Sequence, residues 1–237
     1  MADERFQPIS GFDLPRFAGV PTFMRLPEVA PGDTLYHDVQ IGLVGIPWDG
    51  GTTNRPGARH GPRQLRDLST MIRAQHQSTG VRPFEMVNCA DLGDIPPNPA
   101  DLMATLDRVT AFYNDLKSSG IVPLTAGGDH LISLPILRGL SGSDAVSMIH
   151  FDSHTDLFNE YFGGTRYTHG TPFRRAIEEG VLDPKRTIQI GIRGTMYDDG
   201  DRRFAADAGV TLILIEELKE RGVADVMAQA RGLVGDS

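Results

Sequence analysis

Short apolar runs rich in β-branched residues alternate with segments of helical periodicity along most of the chain. Most of these runs are apolar at nearly every position, which is typical of strands covered on both faces of a parallel sheet. Since such strands need helices on both sides, the alternation predicts an α/β fold of three layers, α/β/α, with a central, mainly parallel sheet. The strand candidates are residues 39–46, 84–88 (the weakest), 121–126, 145–151, 187–192 and 210–215.

The clearest helix candidate covers residues 99–119, where apolar side chains recur every three or four positions. Asn98 is a suitable N-cap, Pro99 fits the first helical position, and Gly120 can end the helix in a left-handed conformation. Shorter candidates are residues 131–140, 172–179 and 223–234.

The length of 237 residues suits one larger domain better than two small ones. Residues 1–37 are rich in Pro and Gly with weak periodicity, and are predicted to form an irregular N-terminal arm. Residues 38–237 are predicted to form the α/β domain. No strand follows the helical pattern at 223–234, so this domain is expected to be incomplete at its C-terminus.

Charge and composition exclude several classes of partner. The chain has 23 Lys and Arg against 31 Asp and Glu, so it lacks the basic footprint of a nucleic-acid-binding protein. It has neither an apolar run of about 18 residues nor a secretory signal, and its one cysteine, Cys89, cannot form an internal disulfide. These features predict a cytoplasmic protein that binds neither membrane nor nucleic acid. The net charge of −8 favours cationic ligands, although it also serves solubility.

Three potential metal ligands follow the apolar run at 145–151. Asp152, His154 and Asp156 occupy alternate positions, so in extended chain their side chains share one face. They stand where a strand ends, which is the edge at which open parallel sheets bind ligands. Crowding two carboxylates and an imidazole is costly unless a cation binds between them. The spacing therefore favours a divalent-metal site over a solvated loop.

His130 is predicted to reach the same site from a second strand. It follows Gly127, Gly128 and Asp129, and the two glycines allow a sharp turn and a close backbone approach. Carboxylates suit manganese or magnesium and imidazole favours transition metals, so manganese is the first choice, with zinc or iron as alternatives. The competing interpretation is that His130 caps a helix.

Two other histidines have different predicted roles. His150 shares the parity of the ligand set but precedes it on the strand, and we interpret it as a hydrogen-bonded core residue. His169 follows a Gly-rich loop and precedes Pro172, which can begin a helix. It could donate a proton to a leaving amine, or it could cap that helix or lie at the surface.

Residues 48–57 follow the first strand candidate and are predicted to form a pocket wall. A basic cluster lies at the end of this loop. Since no phosphate-binding fingerprint accompanies it, pairing with acidic groups at a subunit contact is the favoured interpretation over a phosphate site. Its members are Arg55, Arg59, His60 and Arg63.

These segments resemble the motifs of a known family. Residues 127–130 (GGDH) are similar to the first metal motif of the ureohydrolases, which include arginase and agmatinase. Residues 151–156 (FDSHTD) resemble the second motif, with Ser153 where alanine is usual. Residues 53–59, 167–175 and 190–194 resemble the agmatinase branch, so the likeness covers nearly the whole chain.

The resemblance implies an arginase- or deacetylase-like fold and a manganese-dependent amidinohydrolase. It implies hydrolysis of a guanidino compound to an amine and urea, with agmatine, which gives putrescine, as the first-choice substrate. Guanidinobutyrate and guanidinopropionate are the alternatives. A small cationic guanidino substrate and a homo-oligomer, trimer or hexamer, are the implied partners.

The same resemblance implies roles for the individual residues. His130, Asp152 and Asp156 would hold one of two manganese ions. His154 would hold the other, with Asp152 bridging the pair. His169 matches the family histidine that shuttles protons near the substrate.

The third family motif, which adds two aspartates on a later strand, has no counterpart before Ser237. If the chain is complete, the second ion keeps only two protein ligands, and a catalytically impaired metal-binding homologue is expected. If the chain is a fragment, the longer parent is expected to be active. A different metal hydrolase, such as a deacetylase on a related sheet, is the third hypothesis.

Overall fold

The computed structural model describes residues 2–235, which divide into two compact units. The first unit comprises the chain up to Gly50 together with Arg55–Asp129. The second comprises Gly51–Asn54 and the chain from His130 onward. Each unit has a three-stranded sheet of its own. Among the described residues, no helix is both long and apolar enough to cross a bilayer.

The sheet of the first unit has the order β2-β1-β3, with both strand pairs parallel. Before β1 the described chain forms short 3-10 turns, at Glu4–Phe6, Phe23–Arg25 and Tyr36–Asp38. The regular elements are β1 (Ile41–Ile46), α1 (Gly61–Ser69), α2 (Pro83–Met86), β2 (Cys89–Asp94), α3 (Leu102–Ser118) and β3 (Val122–Gly127).

The sheet of the second unit has the order β4-β5-β6, and its pairs are also parallel. Its core packs the apolar faces of the helices onto these strands. The elements are α4 (Ser133–Ser141), β4 (Val146–Phe151), α5 (Pro172–Glu178), β5 (Leu182–Ile192), α6 (Gly200–Ala208), β6 (Thr211–Leu214), α7 (Ile215–Arg221) and α8 (Val223–Val234).

The predicted α/β class with parallel strands and flanking helices is confirmed. The strand expected at 84–88 is wrong, because Pro83 opens the short helix α2 and the strand begins only at Cys89. A proline at the first helical turn has its backbone angle already set for a helix, and this outweighs a short apolar run. The apolar signal there came from Phe84, which is buried in the core beside Cys89.

The long helix α3 also begins later than predicted. Its N-cap is Asp101, whose carboxylate accepts a hydrogen bond from the backbone N–H of Ala104 at 3.0 Å. Asn98 instead accepts from Ala100 at 3.1 Å and forms a preceding turn. Both residues are good caps, and the aspartate adds a negative charge at the positive end of the helix.

The turn after β3 depends on a glycine, as the sequence indicated. A Cβ atom on Gly128 would lie 1.9 Å from the carbonyl oxygen of Trp48, a distance that no side chain can tolerate. The backbone N–H of Gly128 donates to Ile46 at 3.1 Å, and that of Asp129 donates to Trp48 at 2.7 Å. These bonds hold the ends of β1 and β3 together.

Each sheet has an edge strand with exposed apolar side chains. Val122 and Leu124 on β3 are 61% and 56% exposed, and Phe151 on β4 is 63% exposed. Among the described residues, β3 and β4 each pair on one side only. Both edges therefore offer backbone groups and apolar surface for further pairing.

The loop after β1 is organised by a buried aspartate. Asp49 accepts hydrogen bonds from the backbone N–H of Gly57 at 2.7 Å and from Nε of Arg59 at 2.6 Å. Arg59 therefore pairs inside its own loop, and the expectation of a subunit contact for the basic cluster stays a prediction. The Arg59 hydrogen bond is the main cause that lowers the pKa of Asp49 to about 2.

Replacing Asp49 with asparagine is expected to lower the free energy of unfolding by about 1.5–3 kcal/mol, the range for hydrogen bonds to a charged group. Since the folded pKa lies below the ordinary value of 3.8, this stabilisation is full above about pH 4 and is lost as pH falls toward 2. Urea unfolding of both proteins between pH 6 and about 2 measures this. If the difference in unfolding free energy between the two proteins stays constant down to pH 2, the stabilisation does not come from the charge of Asp49.

Candidate metal centre

The loop that follows β4 is held in place by continued pairing with β5. The backbone N–H of Asp152 donates to Ile190 at 3.2 Å, and that of Arg193 donates to Ser153 at 2.9 Å. Between these two bonds lies Gly191, whose φ of +95° favours glycine. The first residues of the predicted ligand motif are therefore extensions of the sheet, which fixes their direction.

Three of the predicted ligands converge in the second unit. His130 opens a 3-10 turn that leads into α4. Its Nδ1 atom lies 2.5 Å from Oδ2 of Asp156 and 3.7 Å from Oδ2 of Asp152. An imidazole and two carboxylates thus share one small volume at the end of β4, as the sequence predicted.

His154 lies on the other side of Asp152. Its side chain is 70% exposed, and its Nδ1 atom lies 3.8 Å from Oδ1 of Asp152. The backbone N–H of His154 donates to the same oxygen at 3.0 Å. Asp152 therefore turns Oδ2 toward His130 and Oδ1 toward His154.

The segment between His154 and Asp156 is anchored by Thr155. Its hydroxyl donates to Oδ2 of buried Asp201 at 2.7 Å, and its carbonyl accepts from the Gln189 amide at 2.7 Å. Asp156 has a φ of +49°, a left-handed conformation that aspartate tolerates better than most residues. Because buried Thr155 anchors the chain between His154 and Asp156, the loop keeps this conformation.

His150 belongs to the cluster, and our interpretation of it as a fully hydrogen-bonded core residue is wrong in one respect. It is buried, at 8% exposed, and its Nδ1 atom lies 3.1 Å from Nε2 of Gln189. Its Nε2 atom, however, lies 3.4 Å from Oδ2 of Asp152 and has no hydrogen-bond partner among residues 2–235. The signal was present in the sequence, since residues 150, 152 and 154 have the same parity.

Phe173, at the start of α5, forms an apolar wall against the cluster. Its ring is 2% exposed and lies 5.1 Å from the ring of His130 and 4.6 Å from that of His150. An apolar wall lowers the local dielectric constant, which strengthens every charge interaction beside it.

The electrostatics of the cluster favour an ionised Asp152. Burial alone would raise the pKa of Asp152, but the N–H of His154 and the charges of His150 and His130 outweigh it and lower the pKa. Burial, followed by the charge of His130, lowers the pKa of His150. Burial, followed by the charge of Asp156, raises the pKa of Tyr161 to about 12. The site thus combines a carboxylate with neutral groups that can bind or orient a cation.

His169 is held by a different segment of the same unit. Its backbone N–H donates to Gly51 at 2.8 Å, and its Nε2 atom accepts from the backbone N–H of Thr53 at 3.3 Å. The Thr53 hydroxyl lies 2.8 Å from the same nitrogen. In the neutral ring the proton therefore resides on Nδ1. Among the described residues, His169 therefore hydrogen-bonds to Gly51 and Thr53 and not to the cluster of His130, Asp152 and Asp156.

The donor set fits a divalent cation. Imidazole nitrogens of His130 and His150 and a carboxylate oxygen of Asp152 all lie within 4.8 Å of one another, and Asp156 adds a second carboxylate. Two carboxylates beside the same imidazole repel each other unless a cation lies between them. The mixture of hard oxygen donors and imidazole suits manganese, with zinc or iron as further possibilities.

Comparisons with known proteins show which family and which structures this chain resembles. The Arginase family model matches residues 39–237. Guanidinopropionase of Pseudomonas aeruginosa is 51% identical over 99% of this chain and 73% of its own length. Mitochondrial agmatinase of Gallus gallus is 40% identical over 93% of this chain and 64% of its own length. Among solved structures, proclavaminate amidinohydrolase of Streptomyces clavuligerus superposes with a TM-score of 0.85, at 36% identity, over 93% of this chain and 72% of that one.

Proposed function

This chain belongs to the arginase family, and we propose that it is a metal-dependent amidinohydrolase that cleaves a guanidino compound to an amine and urea. The observation that carries the proposal is the 2.5 Å approach of His130 to Asp156 beside Asp152, at the end of a parallel strand. The relatives that resemble it over most of its length are named as hydrolases of guanidino compounds.

We assign the metal ligands from the orientation of the side chains. His130 lies near Oδ2 of Asp152 and contacts Asp156, so these three would hold one ion, whereas His154 faces Oδ1 and would hold a second. Manganese is the first choice for both. When bound, a divalent ion supplies Lewis acidity that makes water nucleophilic at neutral pH.

The protein's own groups supply binding and proton transfer. The acidic chain, with a net charge of −8, attracts the cationic guanidino group. Phe173 covers one side of the cluster and excludes water there. The amine can leave only after it gains a proton, and His169 is the residue to which we assign that transfer.

Among guanidino compounds, we propose a guanidino acid of the guanidinopropionate type as the preferred substrate. The 51% identity to guanidinopropionase supports this choice over agmatine, for which the corresponding identity is 40%. The tails of the two compounds carry opposite charges, a carboxylate and an ammonium group. A pocket built for one leaves a charge unpaired when it binds the other. The agmatine prediction is the second candidate.

A substrate panel tests both parts of the proposal. With added Mn²⁺, we expect urea from 3-guanidinopropionate, with kcat/KM at least about 100-fold above that for agmatine. A site that pairs with one charged tail strongly rejects a substrate that leaves its polar groups unpaired. Arms with 4-guanidinobutyrate, arginine and an acetylated amine complete the panel, and protein treated with a chelator is the control. Preference for agmatine would overturn the substrate choice. Absence of urea from every member would overturn the function.

A further inference from the structure

Gln189 is a fully buried polar residue in the middle of the apolar strand β5. It stands directly opposite His150 in the parallel register between β4 and β5. Burying an amide among isoleucines is costly unless it makes hydrogen bonds. The Gln189 amide nitrogen makes two hydrogen bonds, to the Thr155 carbonyl and to His150. Together they determine the tautomer of the His150 ring.

The orientation of the Gln189 amide follows from the Thr155 carbonyl. A carbonyl oxygen can only accept, so the atom 2.7 Å from it must be the amide nitrogen. The same nitrogen lies 3.1 Å from Nδ1 of His150 and has a second hydrogen to donate. Nδ1 of His150 is consequently an acceptor, and the proton of the neutral ring is on Nε2.

That proton has one acceptor close by. Nε2 of His150 is buried and lies 3.4 Å from Oδ2 of Asp152, slightly beyond the usual N–H···O distance of about 2.7–3.2 Å. We propose that His150 is a positioning residue whose Nε2–H directs the carboxylate of Asp152, and that Gln189 fixes the tautomer that makes this possible. The inference rests on the proposed function in that Asp152 is taken as a metal ligand.

A consequence is that His150 does not itself bind the ion. Its ring nitrogen lies among the possible ligand atoms of His130 and Asp152, within 4.8 Å. A nitrogen that carries a proton has no lone pair for a metal, however, and Gln189 keeps the proton there. With the His154 N–H on Oδ1 at 3.0 Å and the His150 Nε2–H facing Oδ2, a donor then lies near each oxygen of Asp152.

Hydrogen bonds that orient a metal ligand typically change metal affinity by about 10- to 100-fold. We therefore expect His150→Phe, which keeps a ring but has no donor, to weaken Mn²⁺ binding within that range. His150→Gln places an amide nitrogen near the position of Nε2 and should restore most of the affinity. Gln189→Glu, which cannot donate to Nδ1, should weaken binding as His150→Phe does. Calorimetric titration with Mn²⁺ alone measures all three.

A second measurement needs neither metal nor substrate. Long-range ¹H–¹⁵N correlation spectra of the metal-free native chain report the tautomer of each histidine, and the His150→Gln variant assigns the signals of His150. We expect the proton on Nε2 in the native chain and a change of tautomer in Gln189→Glu. A proton on Nδ1 in the native chain, or native Mn²⁺ affinity in His150→Phe, would overturn the inference. If the native chain binds no Mn²⁺, the proposed function fails, whereas the tautomer still tests the His150–Gln189 arrangement.

Discussion

Replacing Asp152 with asparagine is expected to reduce urea release by at least about 10³-fold and to weaken Mn²⁺ binding by more than about 100-fold. Asp152 faces both His130 and His154, with a different oxygen toward each. An amide keeps the shape but loses the charge, and its nitrogen cannot act as a ligand. Both ions would therefore lose their shared ligand in a single substitution.

Folding should be affected far less than binding. Without metal, the charge of Asp152 is favoured by the N–H of His154 and the nearby imidazoles but opposed by the like charge of Asp156, so its removal has opposing effects on stability. We expect the free energy of unfolding of the metal-free protein to change by less than about 1 kcal/mol. Asp207→Asn, on the exposed face of α6, is the matched control and should leave both binding and turnover unchanged. Tight Mn²⁺ binding by Asp152→Asn would contradict the ligand assignment.

The convergence of His130 with Asp152 and Asp156 was predictable because it depends on two features that a sequence displays. His130 and Asp152 each come shortly after the end of a strand, and alternate residues beyond a strand share a face. The close backbone approach at Gly128 was also predictable, because glycine suits such an approach. A Cβ atom there would collide with the Trp48 carbonyl. Residue type and position after a strand were sufficient to predict where these residues lie.

The roles of His150 and Gln189 were not predictable, because they arise from cross-strand register. Position 189 lies opposite position 150 only when β4 and β5 pair in one particular alignment, and that alignment includes a shift between Val146 and Met148. A sequence shows neither the partner strand nor the shift. The same holds for Asp49, whose salt bridge with Arg59 depends on how the loop after β1 closes.

The wrong strand at 84–88 has a different origin. The run is apolar enough for a strand, but Pro83 supplies a preset helical angle and the segment closes into a single helical turn, α2. Local backbone preference and hydrophobic content disagreed there, and the sequence alone did not show which one prevails. The predicted oligomer, the cytoplasmic location and the boundary at residue 37 stay predictions from the sequence.

His169→Gln is expected to lower kcat by about 10²- to 10⁴-fold, the usual contribution of general acid–base catalysis, and to change Mn²⁺ affinity by less than about twofold. Glutamine can place an amide oxygen near the position of Nε2 and accept the Thr53 N–H, so the loop anchor at 3.3 Å is kept. It cannot accept and return a proton. Turnover should therefore fall although the metals are still bound.

Thr53→Val tests how much of this effect comes from positioning. It removes the hydroxyl 2.8 Å from the His169 ring but keeps the backbone N–H, so a loss of about tenfold or less in kcat is expected. The pH profile of kcat should keep its shape in Thr53→Val and lose one limb in His169→Gln. If Mn²⁺ affinity in His169→Gln instead falls in parallel with kcat, the residue supports the metal site and transfers no proton. Comparison with Asp152→Asn then separates the two roles, since only that variant should lose metal and turnover together.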